Sequence, residues 1–411
     1  MPVAGTSIHV EFFPGCRDID EGLWDRCFPA PLEGLFWYRT LEACGLEGQF
    51  TFRYGLIRSE GNAVGIAPCF IHDVPIALVA PRPVAFILGL LSKQIPRAGL
   101  QRTFFVGSPC SDEGTIGLLP GTRLGDVAGG LAVALRMEAR RLKAPMIVFK
   151  DFSPSGRAAL DPLCVGGGFF PMVSYPGTLL AVPASGKEGY LRALAHTQRH
   201  NLLKKLRRSR EVLALETSVV ERPSPGELVE IHGLFAQTFA KGRTKFERLD
   251  VRFFECVCGQ PPARFILQRD SSTGELVAFM LVFRIGDRLI NKFIGIDYRR
   301  AGGTFPYFRL FEAAIDLACA SGATELQSGQ TGYRAKLDLG HRLVPLFNLV
   351  RHENPLVHAI YRAIGGRVTW KTLDGDLAIY LKAHPSAAEA SAKGRLPGPN
   401  SGARDSNDDP S

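Results

Sequence analysis

The sequence predicts an α/β chain, in detail α+β, made of two tandem copies of one unit whose mixed sheets are flanked by helices. Three observations predict it. Strand-type and helix-type periodicities recur in the same order in both halves, over about 150 residues each, although residue identity between the halves is weak. Leu289 to Pro345 reads as a strand, a basic Gly-containing loop, a helix and a return strand. Finally, 411 residues with 45% hydrophobic and 22% charged content are globular and sufficient for two domains of ordinary size.

In the first half, Ser7 to Phe13 is a strand, and Asp20 to Cys27 and Gly34 to Cys44 are helices. Phe52 to Arg58 and Ala63 to His72 pair around the Ser59-Glu60-Gly61-Asn62 turn. Arg102 to Gly107 is a third meander strand, Leu124 to Leu142 a helix, and Pro145 to Asp151 a strand. The second half repeats this order: strand Val212 to Val220, helices Gly226 to Ala240 and Val251 to Cys258, then strands Arg264 to Gln268 and Glu275 to Arg284. Leu289, Ile290, Phe293, Ile294 and Ile296 form the next strand. Phe308, Phe311, Ile315 and Ala318 then recur at helical spacing, Gly322 stands at the cap, and Ala323 to Ser328 returns as a strand. The expected domains are 1–184, 185–383 and a tail, 384–411, poor in large apolar residues and expected to be disordered.

Two segments interrupt the repeat. Asp73 to Leu100 is apolar, broken by prolines and flanked by Arg82, Lys93 and Arg97; it reads either as packing on its own domain or as a lid or peripheral membrane contact. Lys187 to Glu211 reads as one helix, with leucines on one face and Arg192, Arg199, Lys204, Lys205, Arg207, Arg208 and Arg210 elsewhere. That is either an ordinary amphipathic helix or a surface for an anionic partner. The net charge is +9.

Other chemistries are poorly supported. There is no apolar run long enough to span a membrane and no signal-peptide pattern, so a cytoplasmic protein is expected. Nine scattered cysteines without a Cys-x-x-Cys read as reduced thiols. Cys110 has no evident His partner, and His196 and His200 lack a third ligand, so no metal is expected. Neither Gly-x-x-x-x-Gly-Lys-Ser/Thr nor Gly-x-Ser-x-Gly occurs.

HTQRHNLLKKLRR (His196 to Arg208), FAQTFAKGRTKFERLDVRFFE (Phe235 to Glu255), VGSPCSDEGTIG (Val106 to Gly117) and above all Pro306 to Pro345, with Lys336-x-x-x-Gly340, resemble the tandem GNAT-fold acyltransferases of the FemAB-like, peptidoglycan-biosynthesis type. The resemblance covers about residues 5 to 383 and implies fold more than substrate. It implies an N-acyltransferase moving an acyl group from acyl-CoA or acyl carrier protein to a small-molecule or peptide amine, with the second copy catalytic and the first structural or acceptor-binding. The alternatives are a Fem-type aminoacyl-tRNA-dependent transferase, disfavoured because the basic segment is a single helix and not a long coiled arm, and a non-catalytic module for an anionic partner.

The same resemblance distributes roles. The strand Lys292 to Asp297 parts from its neighbour, and Phe293, Ile294 and Gly295 face the thioester arm. Arg299, Arg300, Gly302, Gly303 and Thr304 form the loop for the donor's pyrophosphate, although Thr304 departs from the family pattern. Asp297 and Glu325 are candidate bases, Tyr307 and Tyr333 candidate acids, and Lys336, Gln330 and Arg243 candidate acceptor ligands. Each also reads as an ordinary structural polar residue.

Overall fold

The structure, a computed structural model, describes residues 7–75, 99–242, 247–300 and 303–384. The first half supplies β1 (Ile8–Phe13), β2 (Thr51–Ser59), β3 (Asn62–Pro75), β4 (Leu100–Val106), the short β5 (Gly117–Leu118), β6 (Met146–Phe152) and β7 (Phe170–Val173). Glu60 and Gly61 take φ of 49° and 84° between β2 and β3. These positive values are what a two-residue hairpin needs to match the twist of its strands. There follow β8 (Gly177–Ala181), β9 (Leu215–Val220), β10 (Ala263–Asp270), β11 (Leu276–Ile285), β12 (Arg288–Ile296), β13 (Glu325–Gln327), β14 (Arg342–Val344) and β15 (Phe347–His352).

One sheet runs β1-β2-β3-β4-β6-β15-β7 and the other β9-β10-β11-β12-β13-β8-β14. Position by position the two orders are equivalent, each with one parallel pair, β4 with β6 and β12 with β13, among antiparallel neighbours. Each sheet also holds a strand from the other half. β15 lies between β6 and β7, and β8 lies between β13 and β14. The boundary expected at residue 184 is therefore crossed by one strand in each direction.

The halves also share a core. Trp37, from the helix Leu35–Ala43, meets Phe253 and Phe283 edge-on at 6.2 and 5.4 Å. On the other face of the second sheet, the helix Pro306–Ala320 buries Phe308, Phe311, Ile315 and Ala318, and Gly322 ends it at φ 68°. The basic segment differs from expectation: it forms two helices, Gly186–Ala193 and His196–Val212, separated by extended backbone at Leu194 and Ala195. Tertiary docking explains the break, because Leu194 is buried and the Tyr190 hydroxyl donates to the Leu339 carbonyl at 2.9 Å. The second helix runs through Val212, so β9 starts only at Leu215. Most of the apolar excursion (76–98) and nearly all of the tail (385–411) lie outside the described residues. No helix among the described residues is long and apolar enough to cross a membrane.

Candidate functional site

β12 pairs with β13 only from Arg288 to Ile290. Beyond that point Asn291 to Ile296 remain on the sheet through β11 alone, and the strand has an open edge. The first copy lacks this opening, since β4 stays paired with β6 through Val106, its last residue. Asp297 N donates to Val277 O at 2.8 Å, so the alternation of an antiparallel ladder turns the backbone of Phe293 and Gly295 toward β11 and that of Ile294 and Ile296 toward the open edge. Thr238 Oγ1 already accepts the Ile296 N–H at 3.2 Å. Between Leu281 and Val282 the register slips, leaving Lys292 as the extra residue of a bulge.

The bulge sends Lys292 into the first half. Its side chain is 1% exposed, and Nζ lies 2.5 Å from Glu33 Oε1, 2.6 Å from the Cys110 carbonyl and 4.5 Å from the centre of the Trp37 ring. Burial by itself lowers an ammonium's pKa, but the charges of Glu33 and Asp112 outweigh it and hold Lys292 above its ordinary value. The loop 107–117 brings the other partners: Ser111 Oγ donates to the Glu33 carboxylate, and Gln327 Nε2 donates to Asp112 Oδ2 at 3.1 Å. Gly114 allows the loop this close, since a Cβ there would strike the Lys150 carbonyl and the Phe152 ring. The resulting cleft between the halves is lined by Glu33, Ser111, Asp112, Glu113, Arg288 and Gln327. Burial raises the pKa of the Glu113 carboxyl, and that of half-buried Glu247 is also raised, by burial acting against Lys150 and Lys292.

The residues singled out from sequence are scattered around this opening. Asp297 is buried and accepts from Arg299 Nε and Nη2, both at 2.9 Å, and that hydrogen bonding keeps its carboxyl below the usual range. It is an ionised partner of Arg299 and not a free base. Arg300 is bound to Asp270 at 2.7 Å and to Glu275, so three carboxylates neutralise the two arginines expected to hold phosphate. Glu325 sits between Arg288 and Arg342 at 3.1 and 3.7 Å. It pairs with Arg288, nine positions before Asp297, which places the two candidate bases about 30 Å apart along the strand.

Tyr333 is buried, with its hydroxyl bonded to the Pro176 carbonyl at 2.9 Å, whereas the buried Tyr307 hydroxyl and Gln330 Nε2 have no partner among the described residues. The two hydroxyls share no site with both carboxylates. Lys336 is not on the surface: Nζ donates to the Ser328 carbonyl and to those of Gly329 and Gln330 at 3.2 and 3.3 Å, tying down the chain that leaves β13. Burial pushes its pKa down to about 8. His341, bonded to the Lys336 carbonyl at 3.0 Å and Ser328 Oγ at 3.2 Å, is pushed down to about 3 by the same burial and by Lys336. Phe293 packs edge-on against Phe235 and Phe253, and a Cβ on Gly295 would lie 2.7 Å from the Leu234 and Phe235 backbone. Gly303 takes φ 76° near Arg208 of the basic helix, and Thr304 Oγ1 donates to the Arg300 carbonyl at 2.6 Å. Gly302 and Arg243 lie outside the described residues.

Lys292, Asp112, Glu33 and Glu247 were not singled out from sequence. One signal was present: Asn291-Lys292 interrupts an otherwise apolar strand with two polar residues, which marks either a bulge or a close approach. Among the described residues no three His, Cys, Asp or Glu side chains are grouped to hold a metal ion.

Residues 196–337 match the family described as acetyltransferase (GNAT) domain, a span that begins at the basic helix and contains the open edge of β12. FemX superposes over 85% of this chain and 100% of its own with a TM-score of 0.55 at 13% identity. This chain has a tandem GNAT fold. L-PGS from Bacillus licheniformis is also similar, at 13% identity, 80% of this chain, 96% of its own and a TM-score of 0.48. A tandem GNAT protein from the clavulanic acid biosynthesis pathway gives 15%, 85%, 99% and 0.48. No curated protein matches the chain in sequence. The GNAT unit with the open edge is thus the second copy, and the closed one is the first.

Proposed function

We propose that this tandem GNAT protein is an N-acyltransferase that moves an acyl group from an acyl thioester to an amine at the open edge of β12. The observation that carries the reading is the early parting of β12 from β13, set against β4 of the first copy, which stays paired with β6 to its last residue. The backbone N–H of Ile294, directed to that edge, is placed to hold the donor's arm or carbonyl oxygen. The amine would enter the cleft of Glu33, Asp112 and Glu113 from the first half, whose carboxylates attract an ammonium. Attack requires the neutral amine. The bound ammonium gives one proton to a carboxylate whose pKa has been raised, Glu113 or Glu247; the neutral nitrogen then bonds the carbonyl carbon, the C–S bond breaks, and the second nitrogen proton, lost as the amide forms, goes to the departing thiolate. The first copy then supplies the acceptor side and no donor site.

A second reading keeps the site and changes the donor to aminoacyl-tRNA. The observation favouring it is the charge distribution: Arg299 and Arg300 are neutralised, while Arg199, Lys204, Arg207 and Arg208 stand exposed or half-exposed along the basic helix beside the loop. Acyl carrier protein would use the same surface.

The test is a thermal-shift titration of the purified protein with acetyl-CoA, a long-chain acyl-CoA and free CoA, beside Ile294→Pro. Proline there deletes the open-edge N–H without removing a hydrogen bond to β11. A rise in melting temperature with an acyl-CoA that the variant loses supports the thioester donor. No shift with any CoA species overturns that donor and moves the titration to charged tRNA and acyl carrier protein.

A further inference from the structure

On the face of the second sheet away from the acceptor cleft, the helices Gly186–Ala193, His196–Val212 and Pro306–Ala320 leave a cavity between them. Its volume is about 110 Å³, and its walls are hydrocarbon: Leu191, Leu202, Leu206, Phe308, Ile315 and Leu339. The polar groups at its border are already satisfied. Tyr190 donates to the Leu339 carbonyl at 2.9 Å, and Glu312 is held by Lys187 at 2.8 Å and Arg210 at 2.6 Å. Water inside would find no unpaired partner in these groups, the condition under which a cavity stays dry or takes an apolar guest. Leu203 stands at the mouth with 46% of its surface exposed. Around it the helix carries exposed Lys204, Arg207 and Arg208 and a single acid, Glu211.

We propose that this cavity binds the aliphatic chain of an anionic amphiphile, a fatty acid or lipid acyl chain, with the chain passing Leu203 and the head group remaining outside among the cations of the basic helix. Shape and chemistry agree on this occupant. The walls offer only dispersion contacts and burial from water, and the rim offers positive charge to a carboxylate or phosphate. The site is separate from the open edge of β12, so it does not depend on acyl transfer.

Straight-chain carboxylates from hexanoate to tetradecanoate, titrated calorimetrically below their micelle concentrations, test it. Affinity is expected to rise about fourfold per added methylene until the cavity is filled and then to level off. Leu203→Lys, at an exposed position, is expected to weaken dodecanoate at least tenfold while leaving the unliganded melting temperature and any acetyl-CoA shift unchanged. Leu191→Lys, in the wall, provides a second, independent block of the cavity. Co-sedimentation with phosphatidylglycerol vesicles that Leu203→Lys abolishes would assign the chain to a lipid, and binding of free carboxylates alone would assign it to a free acid. Affinity independent of chain length, or unaffected by both variants, overturns the proposal.

Discussion

Lys292 is a cation placed where almost no water reaches it, and its value depends on Glu33. Replacing Lys292 with Met leaves the Glu33 carboxylate without its cation and the Cys110 carbonyl without its donor, so a loss of about 3–5 kcal/mol of stability is expected in urea unfolding. Lys292→Met combined with Glu33→Gln should recover part of that loss; a double variant as unstable as the sum of the singles would show that the two groups do not act as a pair. His341 and Lys336 give a second expectation, in pH. The folded His341 resists protonation down to about 3, whereas the unfolded residue takes a proton near 6.5. Stability present above pH 6.5 is therefore lost as pH falls toward 3, by up to about 1.4 kcal/mol per pH unit for this one proton. Lys336 is neutral in the fold above about 8 and charged in the unfolded chain up to 10.5, so stability should rise with pH across that alkaline window. His341→Gln should flatten the acid limb and leave the alkaline one. An unchanged acid limb would exclude His341 as its source. None of this was legible in the sequence, where Lys336 reads as a candidate acceptor ligand or an ordinary surface lysine; only folding encloses it with Ser328 and His341.

At the scale of the element, the open edge of β12 rests on how the helix Pro225–Lys241 lies across that strand. Gly295 is the point of closest approach, with the Leu234 and Phe235 backbone 2.7 Å from where a Cβ would sit and the Phe279 ring closer still. Gly295→Ala must move backbone, and a drop in melting temperature of several degrees is expected, larger than for Gly303→Ala in the loop, where the nearest atom is Arg208 Nη2 at 3.7 Å although φ is positive. Equal drops would show that packing at β12 is not what fixes Gly295. Most elements were readable from periodicity; the caps that set their starts were not singled out, since Asp20 stands before the helix read from it and Ser224 forms a capping box with Glu227 ahead of the helix read from Gly226. The basic segment was not, because its break at Leu194 and Ala195 comes from docking onto Leu339 and Gly340, which local sequence does not encode.

At the scale of the molecule, exchange of β8 and β15 makes each sheet incomplete without the other half. Residues 1–184 or 185–384 produced alone should be unfolded or aggregated, and the two produced together should reassemble; unfolding of the whole chain should be a single transition by circular dichroism and by tryptophan fluorescence. A stable, monomeric isolated half would refute this interdependence. The sequence by itself determined the class of fold, the duplication and the strand–loop–helix–strand order around Pro306, because these follow from periodicity, caps and turns that act over a few residues. The family resemblance already placed the parting strand in the second copy; only the tertiary structure decided which half owns each strand, and that Asp297 and Glu325 lie too far apart to act on one substrate. Those outcomes depend on where strands part and which charges meet, and such contacts join residues distant along the chain whose meeting no local pattern specifies.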